Sequence, residues 1–192
     1  MATNIEIEAK ALIKEQDYNN LIKEFEGANF TVFDQTNYYV ETKSFDLKKL
    51  GLGLRVRDVN GKYVLTLKAP MSEGLLEKEE TISDEQFQLF EKKNVFPECS
   101  LKDFIIMLGF EIKKLRIMAK LRTHRTQVEL DEGKHILCID KNEYNNQVDY
   151  ELELEGNSLG KAKTRLEQFC IEHEIDYKDN PRSKQTRALE SL

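Results

Sequence analysis

Cysteine, histidine and proline are scarce in this 192-residue chain, with three of each. Cys99, Cys138 and Cys170 are odd in number, lie far apart and show no CxxC spacing, which argues against a disulfide framework and against a zinc site. They read as buried apolar residues. His124, His135 and His173 show no HExxH or comparable ligand spacing, so they read as surface or packed side chains. No run of eighteen apolar residues occurs, and the start, Met1 to Glu8, lacks a basic segment followed by an apolar one. A cytoplasmic protein without a membrane partner is expected. There is no GxxxxGK[ST] loop, because Gly51-Leu52-Gly53-Leu54-Arg55 enters a strand, and this disfavours a P-loop enzyme. Low-complexity runs, linkers and repeats of solenoid period are also missing, so residues 1–192 are read as one domain.

Charge, by contrast, is plentiful: 33% of residues are charged and 40% hydrophobic, with a net charge of -6. The composition is globular, and the negative sum argues against nucleic acid as a partner while leaving room for an enclosed basic patch. Apolar and charged residues alternate with period two. Ile5, Ile7 and Ala9 interleave with Glu6, Glu8 and Lys10, and Leu52, Leu54 and Val56 with Arg55 and Arg57. The same period runs through Val64–Lys68, Val128–Asp131 and Tyr150–Glu155. Asn60-Gly61, Asp131–Lys134 and Asn145-Asn146 supply hairpin turns, so eight or nine antiparallel strands follow, close to the number that closes a small barrel. Peripheral helices are expected where Tyr18, Leu21, Ile22 and Phe25, and again Leu159, Ala162, Leu166, Phe169 and Cys170, share a face. Ser83 with Gln86 forms a capping box, and Ser100 is expected to cap a helix reaching Met107. The Phe-containing helices between Asp84 and Met107 are expected to pack internally.

The strand charges are sorted by sign. The first and last strands carry Glu6, Glu8, Glu151, Glu153 and Glu155, and the middle strands carry Arg55, Arg57, Lys68 and Arg125. Like charges on one strand face repel, a cost that is relieved when a cation or a basic strand opposes them. Barrel closure would make the acidic strands neighbours and gather both signs on one inner surface. Carboxylates suit Mg²⁺ or Mn²⁺, arginine forks and lysine suit successive phosphates, and the two together suit a polyanion with a divalent cation. Parity places Arg125, Glu129 and Asp131 on the charged face, excludes Arg122 unless a bulge intervenes, and makes Glu77 and Glu79 weaker candidates.

Glu6-Ile7-Glu8-Ala9-Lys10 resembles the ExExK signature of the CYTH domain family, the triphosphate tunnel metalloenzymes. The order continues through Tyr38-Tyr39-Val40-Glu41-Thr42, where Glu41 stands in place of the usual Asp, then Leu54–Arg57, Leu65–Lys68, Thr123-His124-Arg125 and Glu151-Leu152-Glu153. Gly74–Glu77 and Pro181–Lys184 resemble the bacterial YjbK-type branch. The resemblance implies an α+β fold with a closed antiparallel eight-stranded β-barrel and peripheral helices. It implies Glu6, Glu8, Glu151 and Glu153 as ligands of Mg²⁺ or Mn²⁺, with Asp140 either a ligand or a structural group. Lys10, Arg55, Arg57, Lys68 and Arg125 would bind triphosphate, Lys184 would close the tunnel, and Lys68, Arg55 and Glu8 would carry catalysis. The activity implied is hydrolysis of a small-molecule triphosphate: inorganic triphosphate first, with thiamine and nucleoside triphosphates open. A class IV-type adenylate cyclase and a non-catalytic polyphosphate-binding protein are the alternatives, and assembly as a homodimer is left open.

Overall fold

The computed structural model describes residues 1–26 and 30–192. It has nine strands among the described residues, in one curled antiparallel sheet, with the order β1-β6-β5-β4-β3-β7-β8-β9-β2. These strands are β1 (Ala2–Glu6), β2 (Glu8–Ile13), β3 (Phe30–Glu41), β4 (Gly53–Val59), β5 (Lys62–Pro70), β6 (Leu75–Ile82), β7 (Arg116–Leu130), β8 (His135–Tyr144) and β9 (Gln147–Glu155). Six α-helices accompany them: α1 (Glu15–Glu24), α2 (Asp46–Lys49), α3 (Asp84–Lys93), α4 (Ser100–Met107), α5 (Leu159–Glu172) and α6 (Lys184–Glu190). The α+β class agrees with the sequence reading, and the strand count differs from the eight implied by the resemblance. The expected first strand is broken at Ile7: its first half pairs with β6 (Glu6 opposite Leu75) and its second with β9 (Glu8 opposite Glu155). The sheet's two edges are thus consecutive in the chain, and the Gly156 N–H donates to the Ile7 carbonyl at 3.0 Å.

Period-two alternation decides which side chains meet which layer. Leu54, Val56, Leu65 and Leu67 leave the outer face to pack with Phe87 and Phe90 of α3 and with Leu101 and Ile105 of α4. Ala9, Ala11, Leu152 and Leu154 pack with Leu21 of α1 and with Leu166 and Phe169 of α5. Both expected helix faces therefore cover the sheet. The inner face keeps the polar half of each strand and is joined at one end by α6, whose Ala188 and Leu189 pack on Tyr39, Leu121 and Tyr144.

Turn chemistry follows the sequence closely. Asn60 and Gly61 adopt φ of 53° and 77° between β4 and β5, and Asn145 and Asn146 adopt 44° and 60° between β8 and β9. The Ser83–Gln86 capping box forms, with the Gln86 N–H donating to Ser83 Oγ at 3.1 Å. The cap expected at Ser100 does not: Cys99 is the N-cap, and the Glu80 carboxylate of β6 accepts from the Ser100 and Leu101 N–H groups at 3.2 and 2.9 Å. A tertiary carboxylate has replaced the local hydroxyl, which the helix N-terminus favours electrostatically.

Gly74, between β5 and β6, has φ of +78°, and a Cβ there would lie 2.4 Å from the Glu6 carbonyl oxygen and 2.7 Å from Ile7 Cγ1. Its missing side chain lets this turn rest on the break in the first strand. Gly74→Ala is expected to lower stability by about 2 kcal/mol or more, since both strain and overlap oppose the methyl. An unchanged urea midpoint would show that the turn relaxes freely.

Candidate functional site

A cavity of about 350 Å³ opens on the concave face. Nine of the eleven expected site residues line it: Glu6, Glu8, Lys10, Arg55, Arg57, Lys68, Arg125, Glu153 and Lys184. Their strands are β1, β2, β4, β5, β7 and β9, and α6 supplies Lys184. The inward parity of Arg55 and Arg57 is set by the burial of Leu54 and Val56 on the other face, and that of Lys68 by Leu65 and Leu67.

Lysines and carboxylates are interleaved. Lys10 Nζ lies 2.6 Å from Glu8 Oε1; Lys68 Nζ contacts Glu6 Oε2 and lies 2.6 Å from Glu77 Oε1. Burial pushes Lys10 down, but Glu8 and Glu153 outweigh it and its pKa is raised. The arginines differ. Arg55 Nε is buried without a partner, and Nη2 approaches Glu77 no closer than 3.8 Å. Among the described residues, Arg57 bonds only the neutral Asn37 Oδ1, at 3.2 Å. Burial, then the like charges of Arg55 and Arg125, lower its pKa to about 10. Arg57 has no carboxylate partner among the described residues and Arg55 meets one only at 3.8 Å, so both guanidiniums face the cavity under-neutralised.

The two remaining expected residues, Glu151 and Asp140, are fully buried and outside the cavity lining. Arg125 grips Asp140 with Nε and Nη2 at 2.8 and 2.6 Å and also donates to Glu153. Lys184 Nζ reaches Glu153 at 2.6 Å, Asp140 at 2.9 Å and Glu151. Arg187, unremarked in the sequence, joins Glu151 through Nη1 and Nη2 at 3.0 Å each and Asp149 through Nε at 2.8 Å. Oxygens of Asp140, Glu151 and Glu153 lie within 4.8 Å of one another, a spacing compatible with a cation. Lys184 Nζ lies among these three carboxylates and ties α6 to them. Burial opposes the ionisation of Glu153, but Lys184, Arg125 and Lys10 together hold its carboxyl well below the usual range.

Other acidic positions are sorted by their contacts. Glu155 lines the cavity beside Glu6 and Glu8, and burial followed by those two carboxylates raises its pKa. Glu77, a weaker candidate by sequence, faces Lys68 directly across β5 and β6, while Glu79 accepts from Thr66 Oγ1 at 3.0 Å. Glu41 is fully buried and accepts from the N–H groups of Thr42, Leu47 and Lys48, capping α2. Asp131 and Arg122 sit outside, paired with Arg165 and Asp34, and Glu129 is exposed. The histidines meet Asp34, Asp131 and Glu24, and the cysteines are free. No helix among the described residues is long and apolar enough to cross a membrane.

Comparison with known proteins gives a consistent picture. Residues 4–185 match the CYTH domain family. The candidate triphosphatase YjbK of Bacillus subtilis (strain 168) is 31% identical over 183 residues, covering 93% of this chain and 92% of its own. Among solved structures, a candidate adenylate cyclase from Bacillus halodurans superposes with a TM-score of 0.86 at 31% identity, covering 97% of this chain and 98% of that one. The candidate adenylyl cyclase HpAC1 from Hippeastrum, described as having a dominant triphosphatase activity, gives a TM-score of 0.76 at 26% identity, covering 97% and 96%.

Proposed function

The chain belongs to the CYTH domain family, and from that premise we propose that it is a triphosphatase that hydrolyses inorganic triphosphate with the help of Mg²⁺ or Mn²⁺. The observation that carries the reading is the pair of under-neutralised guanidiniums, Arg55 and Arg57, turned into an enclosed cavity. Half-buried positive charge that carboxylates neutralise only weakly is unfavourable in the free protein and becomes favourable when a polyanion arrives. The activities ascribed to the Bacillus subtilis and Hippeastrum relatives support the same chemistry.

The single-residue link at Ile7 supports treating β1 and β2 as one interrupted strand, on which reading the curled sheet would close as an eight-stranded tunnel. Within it, Arg55, Arg57, Lys68 and Arg125 bind successive phosphates, and Lys10 and Lys184 flank them. Glu6, Glu8, Glu153 and Glu155 are the cavity carboxylates suited to a cation, and the mutual repulsion expressed at Glu155 fits a hard divalent ion there. When bound, such an ion would neutralise phosphoryl oxygens and increase the electrophilicity of phosphorus. Glu8 orients the attacking water and accepts its proton as the water oxygen bonds to the terminal phosphorus and the bridging P–O bond breaks. Phosphate and pyrophosphate leave, and Arg55 and Lys68 stabilise the charge that develops on the leaving oxygen. Asp140 and Glu151 act beneath the site by fixing Arg125 and Lys184. The partner on this reading is a small-molecule triphosphate, and the reading assigns the enzyme to the cytoplasm.

Phosphate release from inorganic triphosphate, thiamine triphosphate and ATP, with Mg²⁺ or Mn²⁺, tests the reading. Wild type should release phosphate from inorganic triphosphate in preference, and Glu8→Gln should lose about 100-fold in kcat. Cyclic AMP and pyrophosphate formed from ATP would instead favour the cyclase named for the Bacillus halodurans relative. Turnover undiminished in Glu8→Gln would remove the role assigned to that carboxylate.

A further inference from the structure

One neutral side chain in the cavity lacks a structural explanation. Gln35 of β3 is 3% exposed, lines the cavity, and its Nε2 has no hydrogen-bond partner among the described residues. Leaving a buried amide donor unpaired is unfavourable, and its sheet neighbours are already engaged. Thr123, directly opposite on β7, donates to Asn142 at 2.8 Å, and Asn37, two residues along β3, accepts from Arg57 at 3.2 Å. The register puts Arg57 opposite Asn37 on β4 and Arg125 opposite Phe33 on β7, so the amide sits diagonally between two guanidiniums. Guanidinium groups only donate, so neither can satisfy an N–H. A phosphoryl oxygen drawn to that place by the two guanidiniums can accept from it.

Resting on the triphosphatase reading, we propose that Gln35 contacts the substrate, donating its side-chain N–H to a phosphoryl oxygen held between Arg57 and Arg125. The amide adds a directional bond without adding a third charge to an already crowded cationic wall. It fixes how deeply the anion seats and which of its oxygens the guanidiniums meet.

Calorimetric titration of inorganic triphosphate with Mg²⁺ into wild type, Gln35→Met and Gln35→Glu tests this, alongside ligand-free melting temperatures. Gln35→Met should bind about tenfold more weakly, the value of one hydrogen bond to a charged acceptor. Gln35→Glu should bind about 100-fold more weakly, because a carboxylate would face the polyanion. Ligand-free Gln35→Glu should melt no lower than wild type, since its carboxylate can pair with the adjacent guanidiniums. That divergence of affinity and stability is what a purely structural amide would not produce. Affinities within twofold of wild type in both variants, or affinity losses that simply follow lost ligand-free stability, overturn the assignment. Failure of wild type itself to bind triphosphate defeats the triphosphatase reading, and this inference with it, before any variant is compared.

Discussion

Arg57→Met is expected to raise the melting temperature of the ligand-free protein while lowering triphosphate turnover about 100-fold. The guanidinium is half-buried beside Arg55 and Arg125, has no carboxylate partner among the described residues, and its pKa is lowered to about 10. Methionine fills a similar volume without charge, so relief of repulsion should outweigh the lost bond to Asn37 and leave a net gain of about 1 kcal/mol. The catalytic loss follows because the same charge stabilises the transferred phosphoryl group. Excess triphosphate should stabilise wild type by mass action and the variant much less. A lower melting temperature with unchanged turnover would mean that Arg57 supports the fold and not the substrate.

Lys184→Met should have the largest effect on stability, a loss of about 3–5 kcal/mol at neutral pH, because it leaves three buried carboxylates, Asp140, Glu151 and Glu153, with only Arg125 and Arg187 to neutralise them. The pH dependence gives the mechanism away. In wild type the folded-state pKa of Glu153 is depressed, so its contribution is complete above the unfolded value of about 4.3 and is lost as pH falls through the lower folded value. The pKa of Lys184 is raised: burial opposes the charge, but Asp140, Glu151 and Glu153 outweigh it. Its contribution is therefore complete below the unfolded value of about 10.4 and is lost only as pH climbs through the higher folded one. Without the ammonium the carboxylates repel, and protonation relieves them. The deficit of Lys184→Met measured by urea denaturation should therefore narrow between pH 7 and about 4.5. A deficit constant across that range would point to lost packing of α6 instead.

Much of this site was legible because a strand's period is short and its consequence absolute. Once Leu54, Val56, Leu65 and Leu67 are assigned to a core, Arg55, Arg57 and Lys68 have no choice of face. The pairing of the acidic first and last strands followed from the same sorting, and appears as Lys10 opposite Glu153 and Glu8 opposite Glu155. What was hidden depends on contacts between distant segments. The placement of Glu151 and Asp140 beneath the cavity, rather than in it, is decided by Lys184 and Arg187, which arrive on a helix after a long excursion of the chain. Glu41 looks like a site residue in its motif, yet the turn that follows directs three backbone N–H groups at it. The ninth strand arises from a break at Ile7 that no turn residue marks. Gln35 escaped because charge sorting passes over neutral side chains, and its significance lies in partners it does not have.

The most direct measurement is a calorimetric titration of inorganic triphosphate with Mg²⁺ into wild type and into the Arg55→Met, Arg57→Met double variant. One molecule bound per chain by wild type, with binding abolished in a double variant that remains folded, is the result expected of a cavity built around under-neutralised guanidiniums. Absence of binding by wild type, or equal binding by both proteins, would contradict it.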